Sequence, residues 1–270
     1  MYKNFITRFI LRKNIISRVK MRINAYLRKN NKNEFDDLAF IYKLINKTPK
    51  HIFDCGANIG FVSYQFFKRF NNSKIHSFEP NVVVYEKLVG ILKKESENFT
   101  FNNCGISNTN GILEFYKNNN SGTSSFMQPN DFHMAHMARK YQKIDVPIVS
   151  ITDYCSKNNI DEIGILKLDI EGFELKALQG CSNFLKQEKI DFIFTEVNFV
   201  PTYQGQPLIE EIITYMRKYN YYPYNFYGIN ESDKRQSIIT NILFISNKIA
   251  IEINTLCGKN QVFQNSRESS

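Results

Sequence analysis

His51-Ile52-Phe53-Asp54-Cys55-Gly56-Ala57-Asn58-Ile59-Gly60 is the stretch on which the fold turns. Residues 51–54 form a short run ending in an acid and read as a strand. Small residues follow, and residues 61–70 then carry apolar side chains at helical spacing. A strand, a glycine-bearing turn and a helix make the first unit of a parallel sheet covered on both faces. Such sheets hold ligands outside the carboxyl ends of their strands, so this turn is where a ligand is expected. Gly56 and Gly60 allow a tight turn and a close approach that a β-carbon would obstruct.

Working outward, residues 74–78 read as a second strand ending at Phe78-Glu79-Pro80. A carboxylate at the end of that strand, beyond a glycine-bearing turn, suits the two hydroxyls of a ribose. The expected ligand is a nucleoside. The alternation continues with a helix over 82–94, a third strand over 99–102 and an edge strand over 112–116. Residues 117–143, rich in Asn and Ser, read as a long surface loop with His133 and His136 as solvated side chains. Beyond it come a strand at 146–149, a helix at 151–156 and a fourth core strand at 163–168 ending at Asp169. A helix at 173–185, a fifth strand at 192–196 and a helix at 208–219 follow. Two strands, 222–227 and 241–245, close the chain across a polar connector at 231–236. The expected class is a doubly wound α/β fold.

Charge is confined to one end. Of 35 Lys and Arg against 26 Asp and Glu, residues 1–33 hold ten basic and no acidic side chains. The remaining body is close to neutral, which argues against a broad nucleic-acid surface on it. Phe5, Phe9, Ile16, Val19, Ile23 and Tyr26 recur within that arm at helical spacing and predict a basic amphipathic helix. Such a helix packs on the domain or a partner, or lies on an anionic membrane surface. Three segments are expected: the arm at 1–33, one domain at 34–258, and a frayed tail at 259–270. The five cysteines, Cys55, Cys104, Cys155, Cys181 and Cys257, include no C-x-x-C pair and predict reduced thiols. With no secretory leader and no apolar run able to span a bilayer, the expected place is the cytoplasm, with peripheral membrane contact through the arm as the alternative.

The ordered set of motifs resembles the FkbM-type family of S-adenosylmethionine-dependent methyltransferases. It comprises Asp54-Cys55-Gly56-Ala57-Asn58-Ile59-Gly60, Phe78-Glu79-Pro80, Asn103-Cys104-Gly105-Ile106-Ser107 and Gly122-Thr123-Ser124-Ser125. It continues with Leu166-Lys167-Leu168-Asp169-Ile170-Glu171-Gly172-Phe173-Glu174 and Thr195-Glu196-Val197-Asn198. The resemblance implies a Rossmann-like class I methyltransferase sheet of seven mostly parallel strands with an antiparallel last strand. It also implies S-adenosylmethionine as cofactor and a hydroxyl of a sugar, glycoconjugate or related natural product as acceptor. Carried over by position, Asp54, Gly56, Ala57, Asn58 and Gly60 would line the methionine and ribose. Glu79, followed by Pro80, would take the ribose hydroxyls, and Asn103 and Cys104 would edge the adenine. Cys55 and Cys104 stand where the family commonly has an aliphatic residue and Ala, and both read as packing.

The remaining carboxylates fit that donor. A sulfonium cation favours acidic surroundings, which Asp169, Glu171 and Glu174 supply, whereas a pyrophosphate would be repelled. The turn also lacks the middle and last glycines of G-x-G-x-x-G, which disfavours the alternative of an NAD-linked oxidoreductase. Intact Asp169 and Glu171 disfavour the other alternative, a non-catalytic membrane-associated nucleoside-binding protein. These two are the expected catalytic pair, with proton abstraction from the acceptor as one role. Asp169, Glu196 and Asn198 form a candidate oxygen site for a divalent cation such as magnesium.

Overall fold

The computed structural model describes residues 33–119, 121–136, 140–231 and 237–257. The basic arm as far as residue 32, the connector at 232–236 and the tail from 258 lie outside them. Among the described residues no helix is long and apolar enough to cross a membrane.

Seven strands build the main sheet. They are β1 (His51–Cys55), β2 (Lys74–Phe78), β3 (Phe99–Asn102), β7 (Ile163–Leu168), β8 (Ile190–Asn198), β9 (Tyr221–Glu231) and β10 (Ser237–Ser246). Their spatial order is β3-β2-β1-β7-β8-β10-β9. The first five run parallel, while β10 is antiparallel to both β8 and β9. This is the doubly wound sheet with an antiparallel last strand that the sequence implies.

Period-two alternation feeds two cores from the same strands. Ile52, Ile165 and Phe192 face one cluster with α1 (Glu34–Leu44), α2 (Phe61–Arg69), α3 (Val82–Leu92) and α9 (Asn247–Cys257). Phe53, Leu166 and Ile193 face the other, with α5 (Ile151–Lys157), α6 (Glu174–Gln179), α7 (Ser182–Lys186) and α8 (Ile209–Arg217). α1 starts at Asn33, whose Oδ1 accepts from Phe35 N at 2.9 Å. Arg69 ties α2 to α1 through Asp36 at 2.7 Å.

Three expectations need correction. Residues 117–143 are not a loop. β5 (Gly111–Asn118) pairs antiparallel with β6 (Tyr141–Ser150), and β4 (Gly105–Ser107) joins β6 in a second, three-stranded sheet. The short helix α4 (Asp131–His136) lies between them. Half-exposed strands carry polar residues on one face and lack the continuous apolar run of the core strands. The helix expected at 173–185 is two helices, because a β-carbon at Gly180 would sit 2.1 Å from the Ser107 carbonyl oxygen and the chain bends around β4. Nor is His133 solvated: its side chain is fully buried and its Nδ1 is 2.5 Å from the Tyr141 hydroxyl.

In the middle of β2, His76 is buried between His51, 3.0 Å from its Nε2, and the Tyr154 hydroxyl, 2.9 Å from its Nδ1. Burial, then His51 and Lys74, push the His76 imidazole down to about 3. The unfolded chain protonates it near 6.5, so its contribution is intact above that pH and is lost progressively as pH falls toward 3. Between pH 6.5 and 5 the cost is about 2 kcal/mol. Urea midpoints at the two pH values should therefore fall less for His76→Gln than for the parent. Equal falls would contradict the assignment.

Candidate active site

A cavity of about 460 Å³ opens at the carboxyl ends of β1, β2 and β7. That volume is ordinary for a small-molecule site. Gly56, Ala57 and Asn58 from the first turn line it, with Glu79 and Pro80 from the end of β2, Cys104 beyond β3, and Asp169 and Glu171 beyond β7. The insertion between β3 and β7, residues 105–150 with the second sheet, also lines it, through Phe115, Gly122, Ser124 and Phe126.

The first turn is held by its own amides. Gly56 N and Ala57 N both donate to the Phe78 carbonyl, at 3.0 and 2.9 Å, and Asn58 N donates to Glu79 Oε2 at 3.0 Å. In a dinucleotide site such amides would face a phosphate. Here the second strand consumes them, which removes the basis for an NAD reading. Gly56 is obligatory for a backbone reason: φ is +79°, and a β-carbon would lie 1.9 Å from the Asp169 carbonyl oxygen.

Glu79 is buried, and its second oxygen accepts from Asn81 N at 2.9 Å. Burial raises its pKa to about 7, against the two amides and Lys167, which lower it. Each carboxylate oxygen keeps a second lone pair for a ligand donor.

Three of the positions predicted to hold the cofactor lie outside the cavity lining. Asp54 is fully buried behind the turn, where it accepts from Ser63 Oγ at 2.6 Å and meets Lys167 Nζ at 3.2 Å. Gly60 caps α2, and a β-carbon there would press on Leu88 and Leu92 at 2.7 and 2.8 Å, so its glycine serves helix packing. Asn103 turns its amide onto the Glu79 and Pro80 carbonyls at 2.8 and 3.2 Å and braces that loop. Burial pushes the Cys104 thiol up to about 11 and raises that of Cys55, so both stay protonated as packing groups.

Lys167 was quoted in the sequence only as part of a motif, yet it links the halves of the site. Its ammonium is buried within 3.3 Å of Asp169 Oδ2 and of the Gly56 carbonyl. Burial alone would lower its pKa, but Asp169 and Asp54 outweigh that and hold it charged. The signal was a lysine inside the wholly buried strand Ile163-Gly164-Ile165-Leu166-Lys167-Leu168, a position no lysine occupies without partners.

Beyond β7 the chain makes a left-handed turn, with φ +57° at Glu171 and +95° at Gly172. Glu174 secures it by accepting from Ile170 N and Gly172 N at 3.0 and 3.3 Å. Carboxylate oxygens of Asp169, Glu171 and Glu196 lie within 4.8 Å of one another. Burial and then Asp169 raise both Glu171 and Glu196 well above the usual carboxylate range. Carboxylates so close resist ionising together, so Glu171 and Glu196 hold protons more readily than isolated carboxylates do. The grouping takes Glu171 in place of the predicted Asn198, which is buried at the end of β8.

Comparisons with known proteins follow this geometry. The model described as the methyltransferase FkbM domain matches residues 54–223. The 2-O-methyltransferase NoeI of Sinorhizobium fredii is 24% identical over 184 residues, covering 64% of this chain and 73% of NoeI. The methyltransferase sdnD of Sordaria araneosa is 27% identical over 160 residues, covering 48% of this chain and 59% of sdnD. Among solved structures, M. capricolum TrmK in complex with S-adenosylhomocysteine is 11% identical with a TM-score of 0.40, over 77% of this chain and 67% of that one. Precorrin-6y C5,15-methyltransferase of Geobacter metallireducens is 9% identical with a TM-score of 0.41, over 77% and 87%.

Proposed function

The chain belongs to the FkbM methyltransferase family, and from that premise we propose that it O-methylates a hydroxyl of a sugar, glycoconjugate or related natural product. As a methyltransferase of this family it depends on S-adenosylmethionine, which supplies a methyl group on a positively charged sulfur. The cavity suits that cofactor: Glu79 offers a buried carboxylate to ribose hydroxyls, and Asp169 offers negative charge to the sulfur. Gly56, Ala57 and Asn58 bound the ribose and methionine side, and Pro80 and Cys104 the base. Asp54 and Lys167 act from behind by fixing the turn and Asp169.

The acceptor side carries the finer reading. NoeI is named a 2-O-methyltransferase, which supports a hydroxyl acceptor here. The observation that carries it is the carboxylate grouping at the ends of β7 and β8, next to a cavity that the insertion also lines. Asp169 and Glu171 accept hydrogen bonds from the acceptor and fix its oxygen in line with the donor sulfur, a positioning effect that alone can supply much of the rate. Glu171, in its ionised form, would take the hydroxyl proton as the methyl group leaves the cofactor's sulfur for that oxygen, with S-adenosylhomocysteine as the other product. A divalent cation on Asp169, Glu171 and Glu196 is a second reading, favoured by their spacing alone. Loss of turnover in a chelator, restored by magnesium, would establish it.

A screen with methyl-labelled S-adenosylmethionine over free and glycosidic hexoses, pentoses and 6-deoxyhexoses, with RNA and amines as controls, tests the acceptor class. Label is expected in an ether of a sugar. Label confined to RNA or amines would overturn the reading.

A further inference from the structure

His133 and Tyr203 stand outside the roles described so far, yet they meet over Glu171. Tyr203 lies in the segment between β8 and α8, and 1% of its surface is exposed. Its hydroxyl donates to Glu171 Oε2 at 2.9 Å, with the Thr123 carbonyl 3.3 Å away. His133 comes from α4 in the insertion and lies against the Tyr203 ring, with centroids 4.6 Å apart. On its far side the His133 Nδ1 meets the Tyr141 hydroxyl. The buried Tyr203 and His133 and the half-buried Tyr141 thus form a run of tilted rings ending on the carboxylate.

His133 and Tyr203 are each held in place by further contacts. Asn130 Oδ1 accepts from His133 N at 2.9 Å, and its Nδ2 donates to the Pro201 carbonyl at 2.8 Å, so a single side chain joins α4 to the Tyr203 segment. Gln206 Oε1 accepts from Thr202 N and Tyr203 N at 2.7 and 3.2 Å, and Pro129 and Tyr203 form a β-bridge. Ser125 Oγ, also from the insertion, donates to the Glu171 carbonyl at 2.7 Å. Glu171 is therefore gripped through its backbone by Ser125 and through its side chain by Tyr203. Without the second grip its carboxylate would turn about its own side-chain bonds and lose a fixed direction.

We propose that Tyr203, backed by His133 and Tyr141, is a positioning residue that aims the Glu171 carboxylate at the acceptor hydroxyl, so that the insertion contributes to turnover through Glu171. The proposal rests on the reading of Glu171 as the group that acts on the acceptor. Tyr203→Phe retains the ring and its contact with His133 and removes only the donor. On the sugar turned over fastest in the panel of free and glycosidic hexoses, pentoses and 6-deoxyhexoses, kcat should fall ten-fold or more. Acceptor KM and S-adenosylmethionine Kd should stay within about two-fold. Tyr141→Phe, which only loosens His133, should give a smaller fall of the same kind. In a Glu171→Gln background Tyr203→Phe should cause no further fall, because the two act as one unit. Crystals of Tyr203→Phe with S-adenosylhomocysteine should show the Glu171 carboxylate displaced or in several rotamers, a readout that needs no acceptor. Unchanged kcat, an equal fall in both backgrounds, or an unmoved carboxylate would overturn the proposal. Full turnover by Glu171→Gln alone would instead remove the reading on which it rests.

Discussion

Glu171→Gln is expected to lower turnover about 10²–10⁴-fold, the range that general acid–base catalysis contributes, while leaving S-adenosylmethionine affinity near the parent value. The substitution is nearly isosteric. The amide oxygen still accepts from Tyr203, so the left-handed turn at Glu171 and Gly172 and its brace from Glu174 remain. What disappears is the ability to hold a proton taken from the acceptor. The fall should appear in kcat, since the amide oxygen can still accept a hydrogen bond from the bound acceptor but cannot take its proton in the transition state. Single-turnover kinetics with labelled donor, beside a calorimetric titration of the variant, separate the two effects. A variant that turns over like the parent would remove Glu171 from the chemistry.

Glu79→Ala should weaken S-adenosylmethionine binding by about 1.5–3 kcal/mol, the usual worth of hydrogen bonds to a charged group, or roughly 10- to 150-fold in Kd. The Asn58 amide is left at the cavity wall and the buried Asn81 amide loses its acceptor, a local loss at the end of β2 that leaves the strand ladders of the sheet in place. The carboxyl titrates near 7, above the unfolded value near 4.3. Its proton is therefore bound more tightly in the folded protein, and a falling pH removes the charged acceptor. Affinity in the parent should decline between pH 8 and 6, and that slope should be missing in Glu79→Ala. An alanine variant that binds the cofactor as tightly as the parent would make Glu79 a brace for the loop and no more.

The parallel core was legible because Ile163–Leu168 is apolar but for Gly164 and Lys167, and Lys74–Phe78 is marked by the Phe78-Glu79-Pro80 that ends it. Ile163–Leu168 and Lys74–Phe78 stand where the sequence placed them. The strands expected at 112–116 and 146–149 stand within β5 and β6, but their extent and pairing were opaque: only alternate residues face a core, and pairing across more than twenty intervening residues leaves no local signature. α1 was missed because its buried Phe35, Leu38, Ile41 and Tyr42 sit among acidic and polar neighbours. In the site, the positions that line the cavity could be found from motif order, but whether Asp54 faces ligand or Lys167 could not. That answer depends on which strand lies beside β1, and β7 follows it by more than a hundred residues. The burial of His133 depends likewise on Tyr203, seventy residues away, and a histidine in a polar segment gives no hint of such a partner.

The central claim is that the first turn and Glu79 make a site for the nucleoside of S-adenosylmethionine, with the turn's amides committed to β2 and unable to cradle a pyrophosphate. Calorimetric titration of the purified chain with S-adenosylmethionine, S-adenosylhomocysteine and NAD tests it most directly. One-to-one binding of the first two is expected, with no saturable heat from NAD at the same concentrations. NAD binding more tightly than either adenosyl ligand would contradict it.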